Sequence, residues 1–133
     1  MEASNEREDL PTALAEAFYR HARAPRHAGC LENPHGRAKG VGICGDSIEL
    51  TLRLQGETIV EVGHCPVGCD YTIACASAVS MLAIGKTLEE SLQIQPADVE
   101  RELGGLPEDH LHCARLAVNT LGDAVADAFR HTC

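Results

Sequence analysis

Ser47-Ile48-Glu49-Leu50-Thr51-Leu52-Arg53-Leu54-Gln55 alternates apolar and polar residues without a break. Successive side chains of a strand point to opposite faces, so Ile48, Leu50, Leu52 and Leu54 share one face. Glu49, Thr51, Arg53 and Gln55 share the other, and the stretch reads as a half-buried β-strand. Gly56-Glu57 reads as a tight turn. Thr58 to about Val67 continues as a second strand, expected to bend near Gly63 and Pro66 into a short third one. The connection is too short for a crossover, so the pairing is antiparallel.

Helices are expected on both sides of this sheet in the chain. Tyr71 to Ile84 is rich in Ala, Ser, Ile and Val and carries no charge. A helix apolar around most of its surface is a buried helix, and Gly85 ends it. Thr87-Leu88-Glu89-Glu90 matches a capping box and opens a short helix to about Ile94. Pro96 to Leu103 forms another, with Asp98 in its first turn and Gly104-Gly105 closing it. The last helix is expected from Pro107 to about Arg130. Glu108 and Asp109 sit at its positive end, and Leu111, Ala114, Val118, Leu121 and Val125 form its core stripe. Upstream, Leu10, Leu14, Ala17, Phe18 and His21 recur at helical spacing over Pro11 to Ala22, with Asp9 as a cap. Pro25 ends that pattern. Residues 24–40, with Pro, Gly and mixed charge, read as a long surface loop, and loops of that length are usually functional. Residues 1–9 read as a flexible leader. The order implies an α+β fold: a small antiparallel three-stranded sheet with helices packed mainly on one face, in a single domain over 10–133.

The chain has 133 residues, enough for one core without disulfide staples. Apolar residues make up 44% but aromatics only 3%, so the core must be built from Ala, Val, Ile and Leu. A net charge of -9 argues against a nucleic-acid binder, which normally shows a basic face. The polar, acidic N-terminus is not a secretory signal, and no apolar run is long enough to span a bilayer. The expected compartment is the cytoplasm, with no membrane partner. Seven cysteines, an odd count at unequal spacing, argue against a disulfide framework and towards metal binding or sulfur chemistry.

Three of these cysteines stand at element boundaries. Cys44 lies in Gly42-Ile43-Cys44-Gly45-Asp46, just ahead of the alternating strand. Cys69 precedes the buried helix, where a helix N-terminus favours the thiolate, and Cys113 lies in the first turns of the last helix, where the same is expected. A single free cysteine is most often a small buried hydrophobe. Three such placements, with Asp46 and His112 beside them, instead point to a shared metal or iron–sulfur site. Cys65 and Cys69 make a C-x₃-C, not the usual C-x₂-C knuckle. Cys75 is a helix-buried thiol or an auxiliary sulfur acceptor, Cys30 is in the loop, and the terminal Cys133 is incidental.

These residues resemble the U-type iron–sulfur cluster assembly scaffold family, IscU-like and similar to the N-terminal domain of NifU-like proteins. Cys44-Gly45-Asp46 matches the family's C-G-D. Gly68-Cys69 through Cys75 matches G-C-x-x-x-I-A-S, Gly85-Lys86-Thr87 through Glu90 matches G-K-S/T-x-x-E, and His112-Cys113 matches the final H-C pair. His21 with residues 24–29 resembles H-Y-x-N-P-R-N-x-G without its tyrosine and asparagines. No insertion separates Cys69 from Cys113, which favours the IscU-like branch over the zinc-binding SufU-like branch.

The resemblance implies a scaffold, with no turnover of its own, on which a [2Fe–2S] cluster is built from iron and cysteine-derived sulfur and passed to apo-proteins. Cys44, Cys69 and Cys113 would be thiolate ligands. Asp46 would tune cluster lability, and His112 would be a fourth ligand or nearby base. Cys113 would accept persulfide sulfur. Partners would be a cysteine desulfurase, an iron or electron donor, and apo iron–sulfur proteins, with a homodimer left open. Of the family's chaperone-recognition stretch L-P-P-V-K only Leu106 and Pro107 remain, which makes an Hsp70-type chaperone a doubtful partner. The alternative is a zinc-binding persulfide acceptor, since three thiolates with Asp or His also suit tetrahedral zinc.

Overall fold

In the computed structural model, which describes residues 12–132, the alternating stretch is the centre of the sheet. It forms β2 (Ser47–Gln55) between β1 (Gly36–Val41) and β3 (Thr58–Val67), all antiparallel. Leu50 stands opposite Ala38 on one side and His64 on the other. Ile48, Leu50 and Leu52 are fully buried. The expected leader at 1–9, the Asp9 cap, the core placements of Leu10 and Leu14, Pro11 and Cys133 lie outside the described residues and side chains.

The third strand is not where it was expected. β3 runs unbroken through Gly63 and Pro66, and the missing strand is β1, inside the segment read as loop. The physical reason lies in its side chains. Gly36, Ala38 and Gly40 alternate with Arg37, Lys39 and Val41. The inward positions are small because the last helix presses on them: a Cβ at Gly36 would overlap Ala124 O and stand 2.8 Å from the Ala128 methyl. At Gly40 it would overlap the Thr120 hydroxyl. The alternation is therefore of small against large, not of apolar against polar.

The remaining elements are α1 (Thr12–Arg23), α2 (Asp70–Ala83), α3 (Leu88–Ser91), α4 (Pro96–Leu103) and α5 (Leu111–Thr132). α2 and α5 cover the inner face of the sheet and touch each other, with α4 behind them. α2 is buried around most of its surface, as the lack of charge from Tyr71 onward implies. The Thr87 capping box is formed on both sides, Glu90 N–H to Thr87 Oγ1 at 3.1 Å and Thr87 N–H to Glu90 Oε1 at 3.0 Å. α4 ends on Gly104 in the left-handed conformation, φ 82°. The last helix differs from expectation at its start: Glu108–His110 is a 3₁₀ turn, and α5 begins at Leu111. Its buried stripe is also wider than expected, adding Cys113, Ala117, Ala124 and Ala128 while Leu111 and Val118 sit at the margin. α1 is tied to α2 and α4 through buried His21, whose Nδ1 meets Ser77 Oγ at 2.7 Å and whose Nε2 meets Glu102 Oε2 at 3.0 Å. Among the described residues no helix is long and apolar enough to cross a membrane.

The outer face of the sheet is partly covered too. Thr51, expected on the exposed side, is fully buried because Leu31 N–H donates to its hydroxyl at 3.0 Å. The free edge of β3 is closed by two chain segments, as native sheets commonly manage their edges. Gly29 N–H donates to His64 O at 2.8 Å, and Ile59 N–H donates to Lys86 O at 2.8 Å.

Candidate functional site

At one end of the sheet three boundaries meet. The β1–β2 turn carries Cys44 and Asp46, the β3–α2 junction carries Gly68 and Cys69, and the first turn of α5 carries His112 and Cys113. These residues line one open cavity of about 320 Å³, with Thr72, Asp109 and His110 completing its wall. The five candidate ligands, Cys44, Asp46, Cys69, His112 and Cys113, therefore line the same cavity, while the motif residues His21, Cys75, Lys86 and Glu90 do not. Cys44 and Cys69 are exposed, His112 is half-buried, and Asp46 and Cys113 are buried.

Local folding explains each position. Gly45, with φ 84°, lets the β1–β2 turn reverse, and Gly42 N–H donates to Asp46 O at 2.7 Å to close it. That turn folds the Asp46 carboxylate inward against Gly42, where a Cβ would overlap Oδ1. Cys69 is the N-cap of α2 in extended conformation, with no side-chain capping bond, so its sulfur remains free to face the cavity.

The inner part of the site is held by a residue the motifs did not single out. Thr72, one turn into α2 and fully buried, donates its hydroxyl to Asp46 Oδ2 at 3.4 Å. Thr72 Oγ1 also lies 3.8 Å from Cys69 Sγ and 4.0 Å from Cys113 Sγ. It stands at an unassigned position of the G-C-x-x-x-I-A-S pattern, so no signal marked it. His110 was missed as well. Its ring stacks on Tyr71 at 3.9 Å and Tyr71 packs on Phe18, making an aromatic wall beside His112. Its position two residues before His112 was the only hint.

Donor atoms from Asp46, His112 and Cys113 all lie within 4.8 Å of one another, and His112 Nε2 is 3.6 Å from Cys113 Sγ. Asp46 Oδ1 is buried and has no hydrogen-bond partner among the described residues, so the carboxylate retains coordinating capacity. The surroundings of Cys113 work against the thiolate expected at a helix N-terminus. Burial pushes this thiol up to about 11; the Thr72 hydroxyl opposes this, while Cys69, Asp46 and Cys44 add to it. Desolvation disfavours the charged form of a buried thiol. A cation in the cavity would favour the Cys113 thiolate that burial and these neighbours disfavour.

Among the described residues, Cys30, Cys65 and Cys75 do not join the cavity wall. Cys75 is fully buried in α2, its thiol raised chiefly by burial. Cys65 points to the outer face of the sheet, where its sulfur lies 2.8 Å from that of Cys30.

Comparison with known proteins identifies the family and the fold. A family model described as the NifU-like N terminal domain matches residues 14–132. The chain is 33% identical over 117 residues to the iron-sulfur cluster assembly scaffold protein IscU 1 of Archaeoglobus fulgidus, covering 87% of this chain and 76% of that protein. It is 32% identical over 120 residues to the iron-sulfur cluster assembly scaffold protein IscU of Escherichia coli K12, covering 86% and 93%. The fold matches the solved N-terminal part of a nitrogen-fixing NifU-like protein from Brucella abortus with a TM-score of 0.64 at 17% identity, over 86% and 93% of the two chains.

Proposed function

The chain belongs to the NifU-like N-terminal domain family, and from that premise we propose that it is a scaffold for iron–sulfur cluster assembly. Its cargo is a [2Fe–2S] cluster, built in the cavity and passed on to apo-proteins. The observation that carries this reading is the convergence of Cys44, Asp46, Cys69, His112 and Cys113, from three separate chain segments, on one open cavity. Thiolates select iron–sulfur centres, and a non-thiolate fourth ligand is a route to a cluster that can leave. The exposed Cys44 and Cys69 supply the outer thiolates, Cys113 the inner one, and Asp46 or His112 the fourth position.

Sulfur delivery is assigned to Cys113. His112 Nε2, 3.6 Å away, takes the thiol proton. The Cys113 thiolate then attacks the terminal sulfur of a donor persulfide, forming a new S–S bond as the donor's own thiolate leaves. The donor is a cysteine desulfurase; a source of iron and electrons and the recipient apo-proteins complete the partners. The protein carries a cargo through these steps and does not turn over a substrate of its own.

Anaerobic reconstitution with ferrous iron and sulfide tests the proposal. A visible charge-transfer spectrum, lost in Cys44→Ser, Cys69→Ser and Cys113→Ser, is the expected result. A second reading, a zinc-holding persulfide acceptor, is favoured by the close Asp46, His112 and Cys113 triple with two thiols nearby. Colourless protein retaining one tightly bound zinc that iron and sulfide do not displace would select it over the scaffold.

A further inference from the structure

We propose that Cys30 and Cys65 form a reversible disulfide that ties residues 24–35 across the outer face of the sheet, a redox modification site separate from the cavity. The proposal stands independently of the cluster reading, because neither cysteine lines the cavity.

Three observations carry it. The two sulfurs lie 2.8 Å apart, with the Cys30 thiol donating to Cys65. A disulfide bond is about 2.05 Å long, so closure needs under about 1 Å of side-chain movement. Secondly, the backbone on both sides of Cys30 is already docked. His64 Nε2 meets Arg26 O at 2.7 Å, Gly29 N–H donates to His64 O at 2.8 Å, Leu31 N–H donates to Thr51 Oγ1 at 3.0 Å, and Arg53 Nη2 donates to Glu32 O at 2.7 Å. The approach is tight enough that a Cβ on Gly63 would overlap Gly29 O. The pair is therefore held together before any bond forms. Thirdly, among the described residues no third metal-ligating atom gathers with these two sulfurs. Two thiols alone, in near contact, suit a disulfide and not a metal.

The co-reactant is a low-molecular-weight disulfide. Cys65 is exposed and Cys30 half-buried, its thiol pushed up to about 12 by burial first and by its hydrogen bond to Cys65 second. Cys65, the exposed sulfur of the pair, is the one that attacks. It bonds to one sulfur of the small disulfide, and the other half departs as a thiolate. Cys30 gives its proton to that thiolate and attacks Cys65 Sγ, and the second half departs. Two protein thiols are oxidised and one small disulfide is reduced to two thiols. The bond closes a loop between residues 35 apart in the chain, so it restrains the segment against opening.

The test is a titration of the full chain with oxidised glutathione, quenched with iodoacetamide and digested with trypsin. Cleavage after Arg26 and Arg37 releases residues 27–37 with Cys30, and cleavage after Arg53 and Lys86 releases 54–86 with Cys65. The expected product is a linked pair of these peptides. It should be absent in Cys30→Ser and Cys65→Ser, retained in Cys69→Ser and Cys75→Ser, and reversed by dithiothreitol. On the undenatured oxidised protein, trypsin cleavage after Arg26 should slow roughly tenfold or more in the wild type but not in Cys65→Ser. A stable glutathione adduct on Cys65 with Cys30 still alkylated would overturn the proposal. So would a link that survives Cys65→Ser, or equal cleavage rates before and after oxidation.

Discussion

Lowering the pH from 7.5 to 5.5 is expected to weaken the fold through His64, which is 1% exposed at the edge of β3. Its Nε2 faces Arg26 O at 2.7 Å, so Nε2 carries the hydrogen and Nδ1 does not. Nδ1 is buried and has no partner among the described residues, so a proton there would bring a charge and an unmatched donor into the interior. Burial, the largest cause, lowers the pKa from 6.5; the bond to Arg26 O opposes this, and His27 adds to the lowering. The unfolded chain therefore binds a proton that the folded one resists. The stability contributed by neutral His64 is present above 6.5 and is lost as the pH falls from there towards the folded value. The slope reaches at most about 1.4 kcal/mol per pH unit, a tenfold change in the folded-to-unfolded ratio. Urea unfolding followed by far-UV circular dichroism at pH 7.5, 6.5 and 5.5 measures it, with His64→Gln as the reference. The glutamine amide keeps a donor for Arg26 O but does not titrate, and the other histidines are common to both proteins. The stability gap between wild type and variant should narrow or reverse as the pH falls. Parallel curves between 6.5 and 5.5 would refute the reasoning.

Gly36→Ala should destabilise by about 1–3 kcal/mol in a thermal melt, because its methyl would overlap Ala124 O and crowd Ala128. Thr72→Val keeps the shape but leaves Asp46 Oδ2 without its donor, so the protein should lose about 1–3 kcal/mol in denaturant unfolding. Iodoacetamide under native conditions should label Cys44 and Cys69 within minutes but leave Cys75 untouched, as peptide mapping would read. Cys75 is fully buried and its thiol is raised chiefly by that burial.

Much of the architecture was legible in short windows of sequence. The Ser47–Gln55 alternation named the central strand and its inward leucines, the uncharged run from Tyr71 to Ile84 named the buried helix, and the Thr87 and Glu90 pair named a cap that forms as written. Cys44, Asp46, Cys69, His112 and Cys113 were legible as well, because each sits in an ordered motif at an element boundary. These features are encoded by neighbours within a few positions, where pleat, helical period and capping act.

What only the tertiary structure decided depends on how closely distant elements approach. β1 escaped because its inner residues are small to admit α5, a requirement set by a helix some eighty positions away in the chain. Thr72 gains its role from Asp46 and Cys113, and the Cys113 thiol is raised first of all by its burial among distant elements. The contact of Cys30 with Cys65 likewise arises from a loop crossing the outer face of the sheet. Desolvation, close packing and charge coupling act through space over a few ångströms, and residues that share such a distance need share nothing along the chain.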